Sequence, residues 1–441
     1  GFKLNRLKTG TPPRLHKDSI DYSRVEPQPG DVNPIPFSFY FKPERFPVLP
    51  QISCFITYTN AKTHDLIEAN FDRSPMFTGV IQGVGPRYCP SIEDKVNRFR
   101  ERDRHQIFLE PEGLDTDEVY VNGISTSLPR DVQEQFVHSI EGLEKAEFIR
   151  HGYAVEYDCI DARVLRATLE SKDVPGLFFA GQINGTSGYE EAGAQGLMAG
   201  INAAIRCKGG DPFVLSRHDG YIGVLIDDLI LKGTDEPYRM FTSRAEYRLL
   251  LREDNADLRL SEKAWSLSLL SPLEYEWFGT RRDSIAAYRQ SLTENFFYPE
   301  LTTNQWLEGR GLSPLKDRVS AEVLLRRPEM NWAGICELGF PGLGAAPDVR
   351  EQVEIQVKYD GYIRRDLEVL EGVRKSEQVS IPVGMDFEAV PGLSTEIRSR
   401  LSSVRPETLG QASRLAGVTP AAVASLMIYL KMRNRSGEVR A

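Results

Sequence analysis

The run Gly176-Leu177-Phe178-Phe179-Ala180-Gly181-Gln182-Ile183-Asn184-Gly185-Thr186-Ser187-Gly188-Tyr189-Glu190-Glu191 is the most readable unit of the chain. Its apolar start, ending on glycine, predicts a buried strand from Gly176 to Gly181. A polar turn follows, then a helix from about Tyr189 to Ile205. Gly193, Ala194, Gly196, Ala199 and Gly200 make one side of that helix small enough to press closely against a sheet. A strand opening into a helix N-terminus presents free backbone N–H groups and the positive end of the helix dipole. Such a turn suits the electron-rich edge of a bound cofactor, and its glycines let the backbone come close. The G-x-G-x-x-G spacing is absent. A plain strand–turn–helix, with glycines for packing, therefore stays open.

Working outward, Phe2 to Leu7 alternates like a strand, and Thr9-Gly10-Thr11-Pro12-Pro13 forms a turn. Breakers crowd Pro27 to Pro50. Residues 52 to 58 read as a strand, followed by a short helix capped near Thr63. Further strands are predicted at Ile107-Phe108-Leu109 and Val119-Tyr120-Val121, with a turn at Asn122-Gly123. Asp131 is expected to cap a helix carrying Val132, Phe136, Ile140 and Leu143. After about residue 225 the pattern turns helical over 238–270, 274–297, 316–327, 348–372 and 394–433. Thr419-Pro420 is a strong helix start, with Val423, Leu426, Met427 and Leu430 as its stripe.

Composition bounds the chemistry. With 441 residues the chain should fold as two or three domains. No apolar run is long enough for a membrane span. The 54 basic residues are outnumbered by 63 acidic ones, for a net charge of -9, so any nucleic-acid contact must be local. The five cysteines, Cys54, Cys89, Cys159, Cys207 and Cys336, lie far apart without a C-x-x-C pair, and the six histidines show no metal-site spacing. No metal site is expected.

Two further constellations stand out. In Gly83 to Lys95, Ser91 and Asp94 fit a capping box, and Ile92, Val96 and Phe99 give the helix its apolar face. Cys89 then precedes a helix start, beside Arg87 and near Lys95, where a thiol is readily ionised; free cysteines, however, are more often buried and inert. In Tyr238 to Arg252, Arg244, Arg248 and Arg252 stand at i, i+4, i+8, with Arg239 before them and Tyr238, Phe241 and Tyr247 interleaved. On a helix this makes a phosphate-contacting face with stacking partners. A solvated face paired with Glu246, Glu253 and Asp254 is the alternative.

Taken together these segments resemble the MnmG/GidA family of tRNA-modification flavoproteins. The resemblance is carried by Arg6–Arg14 (RLKTGTPPR), Gly85–Lys95 (GPRYCPSIEDK), Phe108–Gly113, Asn122–Pro129 (NGISTSLP), Phe178–Gly196, Glu236–Arg248 (EPYRMFTSRAEYR), Val353–Tyr359 and Gly410–Arg414. It implies an α/β fold with an FAD-binding Rossmann-like domain of glutathione-reductase type, an α/β insertion and an all-helical C-terminal region. The expected divisions are residues 1–82 and 161–235 for the FAD domain, 83–160 for the insertion, 236–370 for a tRNA-contacting helical region, and 371–441 for a module docking the GTPase MnmE. The family opens with a dinucleotide loop that this sequence lacks, so the chain is expected to begin partway through its first domain and by itself to hold half a flavin site.

For residues, the resemblance implies FAD contacts from Thr9, Gly10, Gly181, Gln182, Asn184, Gly185, Thr186 and Glu190. It implies nicotinamide (NADH) contacts from Gly85, Pro86, Arg87, Tyr88, Cys89, Pro90, Ser91, Ile92, Glu93, Asp94, Lys95, Val96, Asn97, Arg98 and Phe99. Cys89 is the implied catalytic thiol, and Arg239, Arg244 and Arg248 the tRNA contacts. The implied reaction adds an aminomethyl or carboxymethylaminomethyl group to carbon five of a wobble uridine, from methylenetetrahydrofolate and glycine or ammonium. The implied enzyme is a cytoplasmic homodimer joined to MnmE in a heterotetramer. A related folate- and flavin-dependent tRNA uracil methyltransferase, lacking the long helical C-terminus, is one alternative. A non-catalytic piece that binds tRNA and the GTPase is another.

Overall fold

Antiparallel pairing of a strand near the start of the chain with one that ends at Ile160 organises the first part of the protein. The computed structural model describes residues 1–40, 43, 46–87, 90–377 and 379–435. The chain divides into two compact units. The first comprises Gly1–Val214 with Leu225–Met240, and the second Leu215–Val224 with everything from Phe241 onward.

In the first unit β1 (Leu4–Thr11), β2 (Arg14–His16), β3 (Glu26–Gln28), β4 (Cys54–Tyr58), α1 (Ala61–Glu68), α2 (Ile92–Arg98), β5 (Gln106–Pro111), β6 (Glu118–Asn122), α3 (Arg130–Val137), β7 (Phe148–Arg150), β8 (Tyr153–Ile160) and α4 (Tyr189–Cys207) follow in order. β1 and β8 form a two-stranded antiparallel ladder in which Leu7 faces Tyr157 and Lys8 faces Glu156. The other strands make a six-stranded sheet in the order β3-β4-β5-β6-β2-β7. Pro27 is tolerated because β3 is an edge strand.

Period-two alternation turns Ile107, Leu109, Val119 and Val121 to one face, where Ile67, Ile92, Val96, Val132, Phe136, Ile140 and Leu143 meet them in one core. Each such fully buried side chain contributes roughly 1.5–3 kcal/mol. Asn60 and Thr63 close a reciprocal capping box at the start of α1. α3 departs from expectation. It starts after Pro129 with no side-chain cap, and Asp131, one residue inside the helix, is held by two 2.9 Å bonds from Arg73.

The predicted strand at 176–181 does not form. The stretch carries one isolated bridge, Glu170 to Phe178, and Gly181–Asn184 closes as a short 3-10 turn. A strand exists only where a neighbouring backbone completes its ladder, and no other described strand lies beside it. The small-residue side of α4 is likewise open, since a methyl added at Gly193, Gly196 or Gly200 would meet nothing within 4 Å. The close packing against a sheet expected there is absent among the described residues.

One of the three points at which the chain passes between the units falls within α5 (Tyr221–Lys232). The second unit continues with α6 (Ala256–Ser266), α7 (Pro272–Glu294), β9 (Phe296–Phe297), α8 (Leu301–Glu308), β10 (Val319–Ser320), α9 (Ala321–Leu325), α10 (Trp332–Glu337), α11 (Pro347–Glu377), α12 (Thr395–Val404), α13 (Leu409–Ser413) and α14 (Pro420–Arg435). The region expected to be all helical thus includes a two-residue ladder, β9 with β10. Its core joins Ile285, Leu292, Leu307, Leu324, Ile335, Val353 and Val357. Thr419 caps α14 as expected, accepting from the Ala422 N–H at 3.3 Å, and buries Ala422, Leu426 and Leu430 behind it. Among the described residues no helix is long and apolar enough to cross a membrane.

Candidate functional site

The turn after Gly181 is built from its own backbone and from α4. Gly185 has φ +81°, a conformation glycine adopts without strain, and it reverses the chain after the 3-10 turn. Its carbonyl accepts from the Tyr238 N–H at 2.8 Å, and the Thr186 hydroxyl donates to the Tyr238 carbonyl at 3.1 Å. Gly188 caps α4 without a side chain, because a methyl there would sit 1.8 Å from Glu191 Oε2. Glu191 and Gln195, four residues apart on α4, therefore face the turn. Gln195 Oε1 accepts from the Gly181 N–H at 2.9 Å and from Asn184 Nδ2 at 3.1 Å. Glu191 Oε1 accepts from the Met240 N–H at 2.9 Å and lies 3.4 Å from Arg239 Nε.

The other polar atoms here are unpaired. Asn184 Oδ1, Glu191 Oε2, Gln195 Nε2 and the Tyr157 hydroxyl on β8 are all buried without a hydrogen-bond partner among the described residues. Buried groups left so cost about 1–3 kcal/mol each. Burial pushes the Tyr157 phenol up to about 12, so it is a neutral donor at ordinary pH. A flavin carries donors and acceptors on one ring edge, and this mixed set of a carbonyl, a carboxylate oxygen, an amide NH₂ and a phenol fits such an edge better than a simple anion.

Of the residues assigned to FAD, Gly181, Asn184, Gly185 and Thr186 are brought together and buried, while Gln182 and Glu190 are exposed beside them. Thr9 and Gly10 lie further along β1, where a methyl at Gly10 would approach Ser125 at 3.5 Å. Glu191, Gln195 and Tyr157 were not expected. The i, i+4 spacing of the first two and the period-two relation of Tyr157 to Cys159 were the available signals.

The segment Gly83–Phe99 is fastened to β1. The Lys8 N–H donates to the Val84 carbonyl at 2.9 Å, and Glu156 accepts from the Gln82 and Gly83 N–H groups at 2.8 and 2.6 Å. These bonds hold the Glu156 carboxyl below its usual range, with the Gly83 N–H the largest cause. Lys8, 4% exposed, directs its ammonium to Met76 Sδ at 3.2 Å. Arg87 lies 3.5 Å from Glu236. Tyr88 and Cys89 lie outside the described residues.

After Pro90, Ser91 caps α2 by accepting from the Asp94 N–H, and Ile92 N–H donates to the Ser125 carbonyl at 2.7 Å. Glu93 is buried and accepts from the Ser127 N–H and hydroxyl, leaving Oε2 unpaired. Lys95 donates to the Gly123 carbonyl, and Arg98 pairs with Asp94 at 3.5 Å. Val96 is buried but Phe99 is 45% exposed, so α2 buries Ile92 and Val96 without it. Burial pushes the thiols of Cys54, Cys159 and Cys336 up, which disfavours the reactive thiolate; Cys207 is exposed.

The arginine run is not a helix. Thr242–Arg244 is a single 3-10 turn, the following residues are turns, and α6 starts only at Ala256. The i, i+4 spacing is overruled where Glu246, the Arg244 carbonyl and Arg252 find distant or local partners instead. Arg217, buried elsewhere in the second unit, donates to both Glu246 carboxylate oxygens at 2.7–3.2 Å and to the Arg244 carbonyl at 2.9 Å. Arg252 turns back on Asp254 at 2.9 Å and on the Leu249 carbonyl. Arg239 belongs to the first unit, beside Glu191; Arg244 lies over the Phe241 ring at 5.8 Å. Arg248 is exposed, with no hydrogen-bond or ion-pair partner among the described residues. No group of three or more His, Cys, Asp or Glu side chains among the described residues is placed to hold a metal ion.

Three family models match the chain. Residues 1–211 match glucose inhibited division protein A, residues 273–367 the tRNA modifying enzyme MnmG/GidA C-terminal helical domain, and residues 369–441 the MnmG/GidA C-terminal helical bundle. The chain is 54% identical over 434 residues to the tRNA uridine 5-carboxymethylaminomethyl modification enzyme MnmG of Geotalea uraniireducens, covering 98% of this chain and 69% of that protein. The MnmG of Bacillus velezensis is 52% identical over 431 residues, covering 98% and 68%. A crystal structure of Aquifex aeolicus GidA matches with a TM-score of 0.86 at 44% identity, over 97% of this chain and 68% of that one. The mixed α/β first part and the helical remainder are those of the GidA fold, and the chain belongs to the MnmG/GidA family of tRNA-modifying enzymes.

Proposed function

We propose that this chain serves a flavin-dependent enzyme that modifies carbon five of a wobble uridine in tRNA with an aminomethyl or carboxymethylaminomethyl group. The reading extends to methylenetetrahydrofolate as carbon donor, glycine or ammonium as nitrogen source, NADH as reductant, and a cytoplasmic homodimer that assembles with an MnmE-type GTPase through residues 371–441. The relatives' printed function supports the tRNA uridine substrate. The observation that carries the cofactor part is the gathering of unpaired buried polar atoms around Gly181–Gln195.

FAD, when bound, supplies the electron-transfer chemistry. The backbone N–H groups at the start of α4 would face its polar edge, whereas the Gly185 N–H is spent on the Gln182 carbonyl. Asn184, Glu191 and Gln195 complete that edge's hydrogen bonds. The solvent-accessible residues of the Gly85–Phe99 segment would hold the nicotinamide, Ile92, Glu93 and Val96 being buried. Cys89, outside the described residues, acts as a nucleophile. Its thiolate forms a C–S bond to carbon six of the uracil and the displaced electron pair makes carbon five nucleophilic. Glycine or ammonium takes the methylene from the folate as an iminium, releasing tetrahydrofolate, and carbon five attacks the iminium carbon while its C=N electron pair moves onto nitrogen. Loss of the carbon-five proton with departure of the thiolate restores the ring.

Titrating the chain with FAD tests the cofactor part. A perturbed flavin absorption band is expected, and a spectrum identical to free FAD throughout overturns it. Cys89→Ser is expected to keep that titration while abolishing tRNA modification by the enzyme assembled with its GTPase. Modification at the unsubstituted rate removes Cys89 from the mechanism.

A further inference from the structure

Tyr157 stands on β8 opposite Leu7 and shares a buried cluster with Leu7 and Cys159. This cluster lies directly beneath the Gly185 turn, since a methyl placed on Gly185 would come within 3.8 Å of both Cys159 Sγ and Leu7 Cδ1. Tyr157 is 8% exposed. Its polar neighbour is the half-buried Ser187 side chain in the turn, close enough to act on the phenol as a hydrogen-bonding group but without the geometry of a formed bond, and the hydroxyl has no other partner among the described residues. A phenylalanine would fill the same space without burying an unpaired hydroxyl, so packing does not account for this oxygen. It sits under the one turn where Asn184, Glu191 and Gln195 also leave buried polar atoms unpaired.

We propose that Tyr157 is a positioning residue of the cofactor turn. When the polar edge of a flavin occupies the turn, the Tyr157 phenol donates to Ser187 Oγ and the Ser187 O–H donates to that edge. The two bonds polarise each other, so each strengthens the other. Neither residue exchanges a proton with the ligand. The inference rests on the FAD reading of the turn.

Titration of FAD into the 441-residue chain and into Tyr157→Phe, Ser187→Ala and the double variant tests it, with flavin absorption and thermal melting as readouts. Ligand-free Tyr157→Phe should melt no lower than the unsubstituted chain. Each single variant should weaken FAD binding by about three- to tenfold and move the flavin band in the same direction. The double variant should bind no more weakly than Ser187→Ala alone. Unchanged affinity with an unmoved band in Tyr157→Phe overturns the proposal, as does a lower melting temperature without ligand or additive losses in the double variant. Failure of even the unsubstituted chain to bind FAD overturns the cofactor reading itself, and the role of Tyr157 with it.

Discussion

The turn at Gly181–Gln195 and the run at Tyr238–Arg252 are both polar, and they treat their polar atoms in opposite ways. In the turn, neutral and acidic groups are buried with part of their hydrogen-bonding capacity used and part left open. Around the run, charge is paired: the buried Arg217, from earlier in the chain, spends its guanidinium on Glu246 and two carbonyls, and the half-buried Arg252 its own on Asp254 and Leu249. Unmet hydrogen-bonding capacity marks a place prepared for a ligand, whereas met capacity marks scaffold. Arginine density alone separated the two poorly, because most of these arginines hold the protein together.

The comparison breaks most directly at Arg217. If the run is scaffold, Arg217→Met should cost about 1–3 kcal/mol in urea unfolding of the chain, since it removes the buried guanidinium that ties the Arg244 carbonyl and Glu246 together. A change within a few tenths would place the run among solvated faces instead. Gly188→Ala probes the other side. Its methyl must displace Glu191 from the Met240 N–H, an overpacking worth about 1–3 kcal/mol. FAD affinity should fall with it; stability lost at full affinity would detach Glu191 from the site. Arg248→Ala should have the smallest effect. As the exposed arginine of the run without a described partner, it should leave stability and FAD titration alone and lower the slope of log tRNA affinity against log salt by about one. An unaltered slope would leave the run without a described phosphate contact.

Much of the site was legible in the residues. Gly185 and Gly188 read as turn residues because their conformation or crowding tolerates little else, and α4 was bounded to within two residues. Ser91 and Thr419 announced their helices through side-chain caps three residues away from the N–H they accept. Where the reading erred, the deciding atoms were remote in sequence. The apolar run at 176–181 needed a neighbouring strand to become one. Asp131 found Arg73, 58 residues away, and so sits inside its helix rather than capping it. Phe99 continued the apolar period of α2 yet fell past its last turn, where the core no longer reaches.

By itself the sequence determined the family, the glycine turn before a long helix, and the helical character of the second half. Those rest on covalent preferences and on periodicities within one or two turns, which act before any tertiary contact exists. Only the tertiary structure decided that the arginine run is not a helix and that Tyr157, Asn184, Glu191 and Gln195 leave their unpaired atoms around one turn. Burial and pairing are properties of atoms brought together from distant positions, and a one-dimensional pattern cannot state which donors will find acceptors and which will be left waiting for one.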